Sequence, residues 1–384
     1  MISNTFSCRM IFFLLAFYVG NWTIRIPDIK AQVNASYTGM GLNGAAFAAG
    51  AVIMMVFSSR VIRILTSRKA ILHASWFIAA GFIGLPFAGN LPLLLALSFG
   101  TGLAIGLTEV AMNAQASDLE TIHGKSMMSG FHAFFSLGLL AGSLCTSIAV
   151  ELNIGLTENF VVVALVLCPV TIFFSIHLVE DLNKGARLPA PSIFFRWPVL
   201  IVLLVFIAMT SSLVEGAINS WAALYMQDIV AASGFQLGLG VIIFNVFMVG
   251  GRLTGDRVRE IVGVRWFLLG HIVLSMVACF TLFRYSTMSS SILGFSLAGL
   301  GVSNLVPVAY SLAGKNPQIE TSVAVSIISI CSFGAFMMAP TLEGVIADFF
   351  GLEAIFIPLL ILLLAALFLV RFFSGKSFEK IRSE

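Results

Sequence analysis

The 384 residues are 59% hydrophobic and only 10% charged, with a mean hydropathy of +1.02 and a net charge of +3. Soluble domains carry about 25% charged residues, so this chain lacks the polar surface to cover itself in water. Its near-neutral balance gives nucleic acid no footing.

The apolar runs are long and continuous rather than alternating, which predicts an all-α membrane protein and not a barrel. Five cysteines (Cys8, Cys145, Cys168, Cys279 and Cys331) stand in apolar runs without CxxC spacing, so no metal site or disulfide framework is expected. The sequence holds no Walker A motif, HExxH helix or nucleophile elbow, which argues against a fused ATP-driven pump and against an enzyme.

In chain order, twelve transmembrane helices are predicted at 9–29, 40–60, 69–88, 91–116, 127–150, 159–179, 197–227, 235–254, 265–284, 289–313, 321–341 and 353–373. The stretch from Met10 to Gly20 reads as the first span and not a cleaved leader, because no small-residue cleavage pattern follows it. The longest join, 180–196, falls at the midpoint. It predicts an N-terminal six-helix bundle at 1–179, a linker, and a C-terminal six-helix bundle at 197–384 with a short tail. With both termini on one side, 18 of the 21 Lys and Arg share that side, which predicts cytoplasmic termini.

The halves repeat weakly. Arg60 matches Arg252, and Ser136-Leu-Gly138 matches Ser332-Phe-Gly334. Glu109 and Asn113 in the fourth span are echoed by Glu215 and Asn219 in the seventh. A repeat of this kind sets a substrate site between the halves, near mid-bilayer.

Glu109 is the leading candidate. It is an acid deep in an apolar run, where a charge costs ~2.5–3.5 kcal/mol on insertion scales and marks function by default. Asn113 follows at i+4 on the same face. Gly102 and Gly106, also four apart, let another helix approach closely. A carboxyl so placed can load a proton on one side of the membrane and release it on the other.

Glu215 and His132 are the other candidate proton carriers, His132 because imidazole relays protons near neutral pH. Asn21, Trp22, Arg25, Asn113, Asn219, Trp221, Asn304 and Tyr310 are the candidate solute contacts: a few donors, acceptors and rings among apolar walls. Arg25 has two readings, a boundary ion pair with Asp28 at i+3 or a bridge to Glu109. Pro307 frees a backbone carbonyl in span ten and bends it there. His73, His177 and His271 read as packing residues.

The run Gly250-Gly-Arg-Leu-Thr-Gly-Asp-Arg-Val-Arg259, placed between spans eight and nine, resembles the signature loop of the major facilitator superfamily. In that loop a Gly packs at a helix end and an Asp–Arg pair faces a neighbouring helix. Gly251, Arg252, Asp256 and Arg257 are therefore the candidate gating residues. In the equivalent N-terminal loop Arg63 stands where the pattern has Asp.

Arg25-Ile-Pro-Asp-Ile-Lys30, Glu109 to Gln115, Met128 to Ala133, Glu215-Gly-Ala and Trp221 further resemble the YbjJ type of bacterial inner-membrane proteins, related to the fucose permease group. That branch usually has Asp at the position of Glu109, and Asp where Ser220 stands here. The resemblance implies a secondary transporter with a cavity lined mainly by spans one, four, seven and ten.

The expectation is then a monomeric secondary transporter in a bacterial inner membrane, moving a small polar solute, a sugar or sugar derivative, by proton symport. It would use the proton gradient and no cofactor. Its partners would be the solute, protons and the lipid bilayer. The alternative is proton-coupled export of amphipathic drugs or metabolites.

Overall fold

The computed structural model describes residues 3–124, 127–180, 197–313 and 321–372. Among them there is no strand. The helices are α1 (Asn4–Gln32), α2 (Tyr37–Leu65), α3 (Ser67–Gly84), α4 (Leu91–His123), α5 (Met128–Glu151), α6 (Leu156–Ser175), α7 (Val199–Asp228), α8 (Leu239–Val262), α9 (Val264–Arg284), α10 (Met288–Val302), α11 (Leu305–Ala313), α12 (Thr321–Phe350) and α13 (Phe356–Phe372). By length and composition they supply 12 spans, α10 and α11 together forming the tenth.

Side-chain caps set several starts. Ser3, Ser36 and Asn90 accept from the backbone N–H of Phe6, Gly39 and Leu93, and Thr287 and Ser290 form a reciprocal capping box. Several helices overrun their predicted ends. The 33 residues of α4 extend about 50 Å against a hydrocarbon core of about 30 Å, so its ends project beyond the apolar layer.

The chain packs as two compact units. The first is Met1–Arg187 with Ser233–Gly238, and the second is Leu188–Ala232 with Leu239–Glu384. The predicted linker, apart from Glu180, lies outside the described residues. In unit 1 the main helix pairs are α1–α5, α2–α4, α3–α4 and α3–α6; in unit 2 they are α7–α12, α8–α10, α9–α10 and α9–α13. Counted by span, the second set is the first moved on by six, so the weak sequence repeat is a repeat of packing.

Glycines make the closest seams. A side chain at Gly138 or Gly142 would strike the backbone of Phe13 or Phe17 across α1–α5, and one at Gly102 or Gly106 the backbone of Phe47 or Ala51 across α2–α4. The Ser-x-Gly match does not extend to packing: Gly138 is wedged against α1, whereas nothing lies within 4 Å of a Cβ placed on Gly334.

Two predicted boundaries are corrected, and one further span keeps its predicted bounds but is interrupted. Span ten is broken at Ser303–Asn304, where Pro307 has no N–H for the Ser303 carbonyl four residues earlier. Span eleven runs on to Phe350, with Pro340 inside α12. The run Gly250–Arg259 is no loop but the last turns of α8.

The joins after α2 and after α8 are single residues, Thr66 at φ 76°, ψ 154° and Gly263 at φ 79°, ψ 155°. The two units therefore turn in the same way, with glycine in one and threonine in the other.

Candidate functional site

Glu109 sits mid-way along α4, half-buried. The amide Nδ2 of Asn113 donates to the Glu109 backbone carbonyl at 2.8 Å. In α7 the amide Nδ2 of Asn219 donates to the Glu215 carbonyl at 2.9 Å, and Glu215 is likewise half-buried. Each asparagine thus folds back on its own helix and leaves the carboxyl beside it without a hydrogen bond or ion pair among the described residues. Asn219 Oδ1 is buried and also lacks a donor. Ser211, on the same helix, donates to the carbonyl of Val302 at 3.3 Å, where α10 ends.

Arg25 belongs to a different cluster. Its Nη1 pairs with Asp28 at 2.8 Å, its Nε donates to Asn159 Oδ1 at 3.1 Å, and its Nη2 donates to the Ile154 carbonyl at 2.7 Å. The choice between Asp28 and Glu109 is settled for Asp28, the i+3 partner. Asn21 is buried beside it, donating to Thr146 Oγ1 at 2.6 Å and to Asn159 Oδ1 at 3.0 Å. These groups tie α1 to α5 and α6. Trp22 is half-buried with its ring 6.2 Å from that of Phe160.

His132 is exposed on α5, with its ring edge-on to Phe12 at 5.4 Å. Tyr310 donates to Ser329 Oγ at 3.0 Å, and Trp221 is fully enclosed, its Nε1–H donating to Glu343 Oε2 at 2.9 Å.

The broken tenth span has its own fastening. Arg252 Nε donates to the Ser303 carbonyl at 3.2 Å, the carbonyl that Pro307 leaves without a helical partner. Asn304 Nδ2 reaches the Gly251 carbonyl at 2.9 Å, Ser303 Oγ at 2.8 Å and His271 Nε2 at 3.2 Å. His271 Nδ1 contacts the Phe267 carbonyl at 2.9 Å, an acceptor, so Nδ1 carries the proton and Nε2 of the neutral ring accepts from Asn304. Gly251 and Gly255 give the room: side chains there would strike Ser303 and Asn304.

Of the candidate gating residues, then, Gly251 and Arg252 meet the neighbouring helix. Asp256 is exposed and pairs with Arg259 at i+3, at 3.2 Å, and Arg257 is exposed. His271, read from sequence as packing, is part of this fastening.

Glu343 was missed because span eleven was ended at 341. It is an acid only 5% exposed inside α12. The signal that could have found it is the apolar run continuing past Pro340 to Ile346. A hollow of about 480 Å³ lies at the end of α5, where Glu151 accepts from the Phe235 N–H at 2.8 Å. None of the intramembrane acids lines it.

A model of the Major Facilitator Superfamily matches residues 6–228 and again 201–383. Among curated proteins, the chain is 28% identical to an uncharacterized MFS-type transporter of Yersinia pestis over 95% of both chains. It is 26% identical to membrane protein MosC of Rhizobium meliloti over 89% of this chain and 83% of that one. Among solved structures it resembles a mutant of the nucleoside transporter NupG, with a TM-score of 0.79 and 12% identity over 95% of this chain and 98% of that one. It also resembles a bacterial homolog of the human lysosomal transporter Spinster, in an inward-facing form, with a TM-score of 0.75 and 14% identity over 98% and 97%.

Proposed function

The chain belongs to the Major Facilitator Superfamily, and from that premise we propose that this membrane transporter moves a small polar solute, a sugar or sugar derivative, by proton symport. The supporting observation is the pair of acid–amide turns, Glu109 with Asn113 and Glu215 with Asn219, one in each unit. Each offers a carboxyl that no protein group holds among the described residues, in a setting where such a group is kept for function.

Glu109 carries the coupling proton. Glu215, Asn113 and Asn219 meet the solute, with Trp22 and Tyr310 adding ring surface, and His132 is the relay candidate. Asn21, Arg25, Trp221 and Asn304 spend their donors on protein groups, and we assign them to holding helices. The Lys and Arg asymmetry supports a bacterial inner membrane location with cytoplasmic termini. The transporter acts as a monomer, by alternating access.

The test is uptake into proteoliposomes under a pH gradient, across sugars, sugar acids and nucleosides, the last being the solute named for one structural neighbour. The wild type accumulates a member of this panel. Glu109→Gln loses gradient-driven accumulation and keeps solute exchange at equal pH. Undiminished accumulation by that variant would sink the proton role. Movement of amphipathic cations alone would turn the reading to export.

A further inference from the structure

Glu343 is the most enclosed acid among the described residues of unit 2, 5% exposed, seven residues from the end of α12. At the helical rise that is about 10 Å along the helix from the end. Its Oε2 accepts the Trp221 indole N–H, and its Oε1 is buried with no hydrogen-bond partner among the described residues.

The groups around it are easily named. From α7 comes Trp221, and from α9 the Cys279 thiol lies within electrostatic reach. The turn after α12 carries Glu353, whose field is felt at Tyr225 of α7. No Lys or Arg pairs with Glu343 among the described residues. A buried ionised carboxylate with one neutral donor and no cation is left mostly uncompensated.

Unit 1 answers a buried charge with protein groups: Arg25 of α1 has Asp28 on its own helix, Asn159 of α6 and the Ile154 carbonyl. In the α7–α12 seam nothing equivalent answers Oε1. Two features make that seam close. Pro340 frees the Phe336 carbonyl two turns before Glu343, and a Cβ on Gly216 of α7 would stand 3.1 Å from that oxygen.

We propose that Glu343 is a proton-binding site of unit 2, distinct from Glu109 and Glu215, in which Trp221 holds the carboxylate through Oε2 and Oε1 takes up the proton. The step is simple protonation: one aqueous proton joins the carboxylate to give the acid, and it leaves by the reverse route. A place for this proton in transport rests on the proton-symport reading above; its binding does not.

The test is infrared difference spectroscopy of the purified full-length protein, following the protonated-carboxyl band as pH is raised. The wild type should show a buried-carboxyl component that Glu343→Gln removes and Glu109→Gln leaves in place. Trp221→Phe deletes the one donor to the charged form and should move the midpoint of that component by about one pH unit. This second variant keeps the site testable if the first folds poorly.

A band and titration unchanged in Glu343→Gln overturn the site even if Glu109→Gln abolishes coupled uptake. Loss of the component in Glu343→Gln, with uptake insensitive to a pH gradient, keeps the site and fails the symport reading. A melting temperature raised by sodium over choline, with no protonated band, overturns the proton in favour of a metal cation.

Discussion

Arg252 donates its Nε–H to the carbonyl of Ser303 at 3.2 Å, and Ser303 is the residue whose helical bond Pro307 removes. One helix thus supplies the donor that another helix has lost. The tie predicts an energetic link between Arg252 and Pro307, which are not paired directly. Arg252→Ala should lower the melting temperature of the purified protein. Pro307→Ala, which restores an N–H for Ser303, should reduce that loss, with a coupling of about 1 kcal/mol in a double-mutant cycle. Strictly additive effects would show that the Arg252 contact is incidental.

Thr66 and Gly263 share one backbone conformation at equivalent joins. That region is nearly restricted to glycine and costs other residues about 1–3 kcal/mol. The cap that Thr66 offers, to the Lys69 N–H at 3.4 Å, is long. Thr66→Gly should therefore stabilise by about 1 kcal/mol, and Gly263→Thr should destabilise. A drop in melting temperature for Thr66→Gly would mean that the threonine side chain does more than the cap.

Gly100 and Gly102 lie two apart on α4 with opposite surroundings. Nothing lies within 4 Å of a Cβ on Gly100, while one on Gly102 would enter the Phe47 carbonyl of α2. Gly100→Ala should be neutral or mildly stabilising, gaining up to about 1 kcal/mol of helix propensity. Gly102→Ala should reduce the yield of monodisperse protein, because backbone and not a flexible side chain must move. Equal yields from the two variants would show that the α2–α4 seam relaxes freely.

Gln115 is fully buried and clamps the segment after α6. It donates to the Val179 carbonyl at 2.9 Å and accepts from the Val179 N–H at 3.1 Å, and it also donates to Ser67 Oγ at 2.6 Å. Gln115→Ala should cost about 2–4 kcal/mol, since it strands buried backbone groups as well as leaving a cavity. Gln115→Glu should cost less at acidic pH, where the protonated acid accepts from the Val179 N–H and donates to the Val179 carbonyl. The thermal melts of both variants give the comparison, and a reversed order would contradict it.

What the sequence could show follows from the range of the forces involved. Helix positions were legible because membrane spans announce themselves by length and apolarity. The glycine seams and the acid–amide turns were legible because four-residue spacing fixes a face. The Asp28 partner of Arg25 was within reach for the same reason, at three residues.

The partners that complete each cluster were not legible. Asn159 is 134 residues from Arg25, and Glu343 is 122 from Trp221. Only folding brings them together, and no local pattern marks them. The break in span ten was half legible: Pro307 signalled the missing bond, but not that Arg252 would fill it. The end of span eleven was set too early, at 341, although the apolar run continues to Ile346. Pro340 stands inside α12, which continues through it to Phe350.

The two units share a pairing scheme but not the chemistry along their seams. The first and fifth helices of unit 1 are joined by an amide and a hydroxyl, Asn21 with Thr146, while the matching helices of unit 2 are joined by an indole and an acid. Helix two meets helix three through a threonine in one unit and a glycine in the other, and the tenth span is broken where the matching fourth is continuous. A duplicated scaffold whose halves were chemically alike would titrate and bind alike in both units. Unequal seams remove that equivalence: protonation, strain relief or ligand contact acts on one unit without acting on its counterpart. Which unit answers a given ligand or proton is then a matter of which copy holds which side chains, and it can be rewritten at a handful of positions while the helix order stays as it is.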